Sequence, residues 1–262
     1  MLTFPNAKIN LGLNIVSKRP DGYHNIETCF YPIRWRDVLE IIPSEKLSFH
    51  PSGLDIPGNP ETNLCLKAYD LVRSEYDIPP VAIHLHKVIP MGAGLGGGSA
   101  DGAFMIKLLN DKFELGMNAE KMESMAKKLG SDCPFFIQNK PLFAEGTGTI
   151  FSEVALNLKG RYIALRHPDI HVSTQEAYDG VTPTQPLKSI KEIIKLPVET
   201  WKDELINDFE ASVFPKHSKL KTLKEQFYAA GAVYAAMSGS GSCVFGIFDE
   251  QPINTNWKVF QL

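Results

Sequence analysis

The first regular pattern along the chain is a strict alternation over residues 7–15. Ala7, Ile9, Leu11, Leu13 and Ile15 fall on one side and Lys8, Asn10, Gly12 and Asn14 on the other. A period of two is the mark of a half-buried strand. Further strands are predicted at residues 38–42 and 81–86, with a loop rich in proline and glycine at 43–60. Residues 63–76 predict a helix with Leu64, Ala68, Leu71 and Val72 on one side and Thr62 or Asn63 as its cap. A second helix follows residue 98, capped near Ser99, with Ala100, Ala103, Phe104 and Leu108 on one face. Residues 118–129 form a third, capped by Asn118 and ended by Gly130.

The second half is patterned in shorter pieces. Residues 141–150 predict a tight strand and turn, and 162–165 a strand after a compositional shift near 157–161. A capped helix start lies at Ser173 and Thr174, and helical stretches at 188–194, 205–213 and 220–230, the last aligning Leu220, Leu223 and Phe227. Residues 233–237 and 243–248 read as two strands joined by Ser238, Gly239, Ser240, Gly241 and Ser242, and a last strand covers 257–260. Five small residues are more than a hairpin turn requires, which points to a ligand approaching that loop.

Composition narrows this picture little. The 262 residues carry 44% hydrophobic and 22% charged side chains, ordinary for a globular chain. A net charge of -3 gives no basic stripe for nucleic acid. The four cysteines, Cys29, Cys65, Cys133 and Cys243, form no CxxC pair and read as reduced thiols. Neither a membrane span nor a signal peptide is visible, so a cytoplasmic protein without membrane or nucleic-acid partners is expected.

Candidate chemistry gathers on the stretch PMGAGLGGGSADGA, residues 90–103. Five glycines and an alanine fall within seven positions, between an apolar strand and an apolar helix. Amides there can approach an anion closely, and the helix dipole favours negative charge. The stretch is not GxxxxGK[ST], because Gly98 stands where the lysine belongs. It does contain a literal GxGxxG at Gly92, Gly94 and Gly97, with Glu114 at the distance of a ribose-binding acid. A nicotinamide-dependent oxidoreductase is therefore an alternative, although residues 107–114 read as a helix tail rather than a strand. Lys8 and Asn10, two apart on a strand, are either ligand-facing or an ordinary solvated face. Pro20-Asp21-Gly22 is a turn that presents Tyr23 and His24. Asp132 precedes an apolar Phe-Phe-Ile run; capping of the next short helix is its commoner use.

With these pieces in place, the chain resembles the GHMP small-molecule kinases. Three motifs match in order: PNAKINLGL near the start, PMGAGLGGGSAD in the middle and MSGSGSCVFGIF near the end. KRPDGYHNIE, LGSDCPFF and FAEGTG fit the branch that acts on a cytidine diphosphate conjugate of methylerythritol in the non-mevalonate isoprenoid pathway. The resemblance implies an α/β (α+β) chain with a ribosomal-protein-S5-like N-terminal domain over residues 1–157. A ferredoxin-like C-terminal domain would cover 158–262, with the active site in the cleft between. It implies ATP-dependent phosphorylation of the conjugate's 2-hydroxyl, with Lys8 and Asp132 catalytic and Asn10 beside them on the substrate. Tyr23 and His24 would recognise cytosine, Tyr178 would form a second aromatic wall where the family usually has phenylalanine, and Thr174 would contact substrate. Asn63 and Lys87 would lie near the adenine. Pro90, Gly92, Gly94, Gly96, Gly97, Gly98, Ser99, Gly239 and Ser240 would hold ATP, Ser99 aiding Mg²⁺ bridged through the phosphates. Other members acting on homoserine or mevalonate are an alternative, as is a ligand-binding relative without catalysis; oligomeric state stays open between monomer and weak homodimer. One departure stands out: residues 249–256 are too short and prolyl for the helix the family usually has there, which would bare a sheet face.

Overall fold

The computed structural model describes residues 1–262. In chain order the first half runs β1 (Leu2–Thr3), β2 (Asn6–Lys18), β3 (His24–Arg36), β4 (Val38–Pro43), β5 (Ser48–Gly53), α1 (Leu64–Arg73), β6 (Val81–Lys87), α2 (Gly97–Lys112), α3 (Ala119–Leu129) and α4 (Phe135–Gln138). The second half runs β7 (Leu142–Glu145), β8 (Ile150–Glu153), β9 (Tyr162–Arg166), α5 (Thr174–Asp179), α6 (Ile190–Ile193), α7 (Phe209–Val213), α8 (Ser218–Ala229), β10 (Tyr234–Met237), β11 (Val244–Phe248) and β12 (Lys258–Gln261). These elements divide into two compact units, neither of them one continuous segment.

One unit comprises Met1–Ala7, Trp35–Met91 and Gly96–Lys140. Its sheet has the order β1-β4-β6-β5. β4 and β6 pair antiparallel, Leu39 opposite Leu85 and Ile41 opposite Ile83, whereas β5 runs parallel to β6. Alternation along β6 buries Val81, Ile83 and Leu85 completely or nearly so, against the helices. The α1 cap is Asn63, whose side chain accepts from Cys65 N at 2.9 Å. Its buried face is Cys65, Ala68, Tyr69 and Val72, one position round from the expected one. Asn118 caps α3 through Lys121 N at 2.8 Å, and Gly130 follows its end.

The other unit comprises Lys8–Arg34, Gly92–Leu95 and Pro141–Leu262. It holds two sheets, β2-β3-β7-β8 and β10-β11-β9-β12. Leu13, Ile15, Ala164, Phe209, Leu220, Phe227, Met237 and Val244 belong to one core cluster. Burying such side chains contributes roughly 1.5–3 kcal/mol each. β12 closes the edge of its sheet against β9, reached by a loop over 249–257 rather than a helix. The sheet is not bared: every residue of β10 and β11 is buried, and Trp257 packs on Phe227 with ring centroids 4.4 Å apart.

Some elements escaped the pattern. β3 is 13 residues long but mixes polar and aromatic residues around Pro32, so no alternation marks it. β5 lies inside the proline-rich stretch; as an edge strand it tolerates Pro51. The helix expected at 205–213 is confined to Phe209–Val213, preceded by a 3-10 turn at Val198–Asp203.

Candidate active site

The glycine stretch begins in the unit that contains β2. Lys8 N donates to Leu95 O at 2.9 Å, and Cys243 N to Ala93 O at 3.2 Å. The Gly94 carbonyl accepts from Lys8 Nζ at 3.2 Å and from Ser238 Oγ at 2.9 Å. Gly94 must be glycine: its φ is +74°, and a Cβ there would overlap the Ser238 carbonyl oxygen. Residues from all three motifs thus meet at one backbone atom. Gly239, at φ +54°, lies against the Asn10 side chain and the Gly94 backbone. Ser240 is partly exposed in the same turn.

Lys8 is 4% exposed and Asn10 2%, so the polar face of β2 is not a solvated one. Lys8 Nζ donates to Asn10 Oδ1 at 2.6 Å and lies 4.9 Å from the centroid of the Phe30 ring. Asn10 Nδ2 donates to Thr28 Oγ1 at 3.0 Å, and that hydroxyl donates to Gly12 O at 2.6 Å. The Asn10 amide therefore orients the lysine. Asn207, which the sequence pattern did not single out, is 1% exposed and braces the third motif. Its Nδ2 donates to Met237 O at 2.7 Å and Gly239 O at 2.8 Å, while Oδ1 accepts from Phe209 N at 3.0 Å. A buried amide in an irregular stretch leaves no periodic signal.

Tyr23, His24, Thr174 and Tyr178 belong to the same unit. His24 and Tyr178 stack with centroids 4.7 Å apart and planes 19° apart, and Tyr178 meets the Phe209 ring edge-on. Tyr23 is 67% exposed beside this stacked pair. Thr174 is exposed at the first position of α5, whose cap is Ser173.

In the other unit, Pro90 and Met91 lead into the first turn of α2. The cap is Gly96 in a left-handed conformation (φ 66°), and the helix starts at Gly97, which corrects the cap expected near Ser99. Ser99 lies within the first turn instead, where amides are still unpaired. No single face marks this helix, since residues 100–106 are all buried. Gly97 and Gly98 keep the turn open; a Cβ on Gly97 would press on Ile89 at 2.9 Å and Lys87 Nζ at 3.0 Å. Ser99 lies beside the Cys133 thiol, which burial pushes up to about 12. Asp132 is half-buried in the turn before α4. The cap position of α4 falls on Pro134, so the capping use of Asp132 is not the one seen.

Lys87 is buried behind the first turn of α2. Its ammonium, with a side chain 0% exposed, pairs with Asp37 Oδ2 and with Asp101 Oδ2, the latter at 2.8 Å. Burial favours its neutral form, but the two carboxylates outweigh it and raise its pKa. Beyond Asp101 opens a cavity of about 160 Å³ lined by Phe49, Pro51, Ile56, Asn63, Leu64, Met91 and Asp101, among others. Asn63 reaches this cavity; Lys87 stands one residue behind its wall.

All four cysteines are buried and unpaired, with thiols raised by burial. No group of three or more His, Cys, Asp or Glu side chains could hold a metal. The dinucleotide reading fails too, because α2 leads through a turn at Glu114 into α3 and no strand ends at that acid.

This fold and these motifs define a small-molecule kinase of the GHMP class, and its family models match the chain. The GHMP kinases N terminal domain covers residues 63–140 and the GHMP kinases C terminal domain residues 188–255. A 4-diphosphocytidyl-2-C-methyl-D-erythritol kinase of Cytophaga hutchinsonii is 59% identical over 253 residues, covering 96% of this chain and 94% of that one. Its counterpart in Bacteroides fragilis is 58% identical over 255 residues, covering 96% and 93%. A crystal structure of 4-(cytidine 5'-diphospho)-2C-methyl-D-erythritol kinase superposes with a TM-score of 0.81 at 30% identity, over 94% of this chain and 89% of that one. The mevalonate kinase of Methanococcus jannaschii, at 14% identity and TM-score 0.70 over 99% and 96%, shares the fold. The chain belongs to the 4-diphosphocytidyl-2-C-methyl-D-erythritol kinase family within the GHMP kinases.

Proposed function

We infer that the chain transfers the γ-phosphoryl group of ATP to the 2-hydroxyl of 4-diphosphocytidyl-2-C-methyl-D-erythritol, in the non-mevalonate route to isoprenoid precursors. The observation that carries this reading is the meeting of three sequence motifs at the Gly94 carbonyl, which Lys8 and Ser238 both approach. Such convergence supports a phosphate grip, not a flexible linker. Phosphoryl transfer demands mainly alignment and charge stabilisation, since its transition state is loose. The amides of Gly96, Gly97, Gly98 and Ser99 grip the β- and γ-phosphates at the helix N-terminus. Asp132 orients the acceptor hydroxyl and takes its proton as the oxygen bonds to the γ-phosphorus. The bridging P–O bond breaks, and ADP leaves. Lys8 offsets negative charge on the acceptor and the transferring group.

The donor set contains no protein cage for a metal, which suits Mg²⁺ carried by the triphosphate itself, with Ser99 as the side chain beside it. When bound, Mg²⁺ neutralises phosphate charge. The cavity beside Asn63 takes the adenine, while Tyr23, His24 and Tyr178 take the cytosine. We place the boundary between ATP-side and substrate-side domains near residue 157, between the two matched segments. Four unpaired thiols favour a cytoplasmic setting, and no helix is long and apolar enough to cross a membrane. Coupled ADP release tests the reading: turnover is expected with the cytidylyl conjugate and not with free methylerythritol, homoserine or mevalonate. Equal turnover of homoserine or mevalonate would overturn it.

A further inference from the structure

Tyr178 stands on α5, a helix of six residues, and so short a helix is not stable on its own. One stretch, residues 208–217, supplies much of what holds it. The Phe209 ring meets the Tyr178 ring edge-on, with centroids 4.8 Å apart. Ser212, 5% exposed, donates from its hydroxyl to Ala177 O at 2.7 Å. That carbonyl is among the last four of α5, which have no donor inside the helix. The same hydroxyl approaches Phe209 O in its own helix at 3.0 Å, the longer contact of the two. The approach is tight, since a Cβ on Gly180, just past α5, would lie 2.6 Å from Ser212 Cβ. His217 Nε2 donates to Glu176 Oε1 at 2.9 Å, the two side chains being 24% and 29% exposed. Asp208 anchors the whole stretch to β2, where its carboxylate accepts from Ile15 N at 2.7 Å.

We propose that Ser212 and the Glu176–His217 pair are positioning residues for the nucleobase end of the acceptor, holding α5 so that Tyr178 is in place before substrate arrives. The proposal rests on Tyr178 being a wall of the cytosine site. Ser212 acts through the carbonyl of Ala177, and His217 through the carboxylate of Glu176. A site whose competent form is only partly populated binds its ligand more weakly by that fraction. Without the Ser212 hydroxyl, Ala177 O loses its donor and the held position of α5 is populated less. The loss falls on the cytidylyl conjugate and not on ATP, because the glycine stretch and the third motif are braced by Lys8, Ser238 and Asn207.

Steady-state kinetics with each substrate varied in turn tests this. Ser212→Ala should raise KM for the cytidylyl conjugate roughly fivefold to thirtyfold, the range for a buried acceptor left without its donor, with kcat and KM for ATP within about twofold of wild type. Glu176→Ala and His217→Ala should each raise the same KM about twofold to threefold, and the double variant no further than the worse single one. His217→Gln, which can bring an amide N–H to the same carboxylate, should restore it. These two side chains are partly exposed, so a folding defect in Ser212→Ala cannot shield the proposal. Hydrogen exchange of the α5 amides should be faster in Ser212→Ala than in wild type and should slow again with saturating conjugate, but not with ATP. An equal rise in KM for ATP, or additive effects of Glu176→Ala and His217→Ala, would overturn the proposal. Tyr178→Ala separates it from the reading beneath it. A raised KM for the conjugate there, with none in Ser212→Ala, would overturn the positioning role and leave the nucleobase wall standing. An unchanged KM in Tyr178→Ala would overturn both.

Discussion

Two lysines lie buried in this molecule, Lys8 at 4% exposure and Lys87 at 1%, and their partners differ in kind. Lys87 sits between the carboxylates of Asp37 and Asp101, beneath the first turn of α2. Lys8 reaches past Asn10 to the carbonyl of Gly94, on the glycine stretch itself. Burial alone does not mark a lysine as catalytic. The partners of Lys87 are carboxylates of the scaffold, whereas one partner of Lys8 is the backbone of the glycine stretch.

Substitutions can break that contrast. Lys8→Met and Asp132→Asn should each lower kcat by about 10²–10⁴-fold while the melting temperature shifts by only a few degrees. Either variant keeping a tenth of wild-type ADP release would remove its residue from the chemistry. Lys87→Met should do the reverse. It leaves two buried carboxylates without their cation, which costs about 3–5 kcal/mol in denaturant unfolding, and the folded fraction should turn over at nearly the normal rate.

A pH series sharpens the comparison within the triad. Asp101, ordinarily near 3.8, is raised by burial to about 7 in the folded chain, and Lys87 and Asp37 are the charged groups facing it. The folded state therefore binds the extra proton between those values, and wild-type stability should fall as pH rises from about 4 to about 7 and then level off. Asp101→Asn should lack that component, so its stability relative to wild type should grow across the window. A difference independent of pH would show that Asp101 is ionised throughout. The smallest effect expected is that of Asn207→Ala, at about 1–3 kcal/mol from the carbonyls of Met237 and Gly239 left without a donor. Its KM for ATP should rise more than its kcat falls.

Much of this was legible in the sequence, and the parts that were not share a cause. The alternation of Ala7 to Ile15, the Asn63 and Asn118 caps and the Leu220, Leu223, Phe227 stripe are local patterns, and each appears in the structure. β3 and β5 were hidden because Pro32 and Pro51 interrupt any period, yet pairing with neighbouring strands holds them extended. A hydroxyl residue such as Ser99 is the common kind of helix cap, whereas left-handed Gly96 performs that task at α2 through its backbone. The Lys87 triad and the amide of Asn207 depend on partners 50 and 30 residues away, and no spacing rule reaches that far.

The two hydrogen bonds to the Gly94 carbonyl also set an order of events during folding. Lys8 lies 86 residues from Gly94 in sequence and Ser238 lies 144 residues away. On the ribosome the glycine stretch therefore emerges long before the serine that helps to fix it, and contacts of such separation form late. Until residues 238–243 arrive, the chain has α2 but not the finished loop in front of it. ATP should then protect only the completed chain from proteolysis, and a nascent chain stopped short of Ser238 should gain nothing from it.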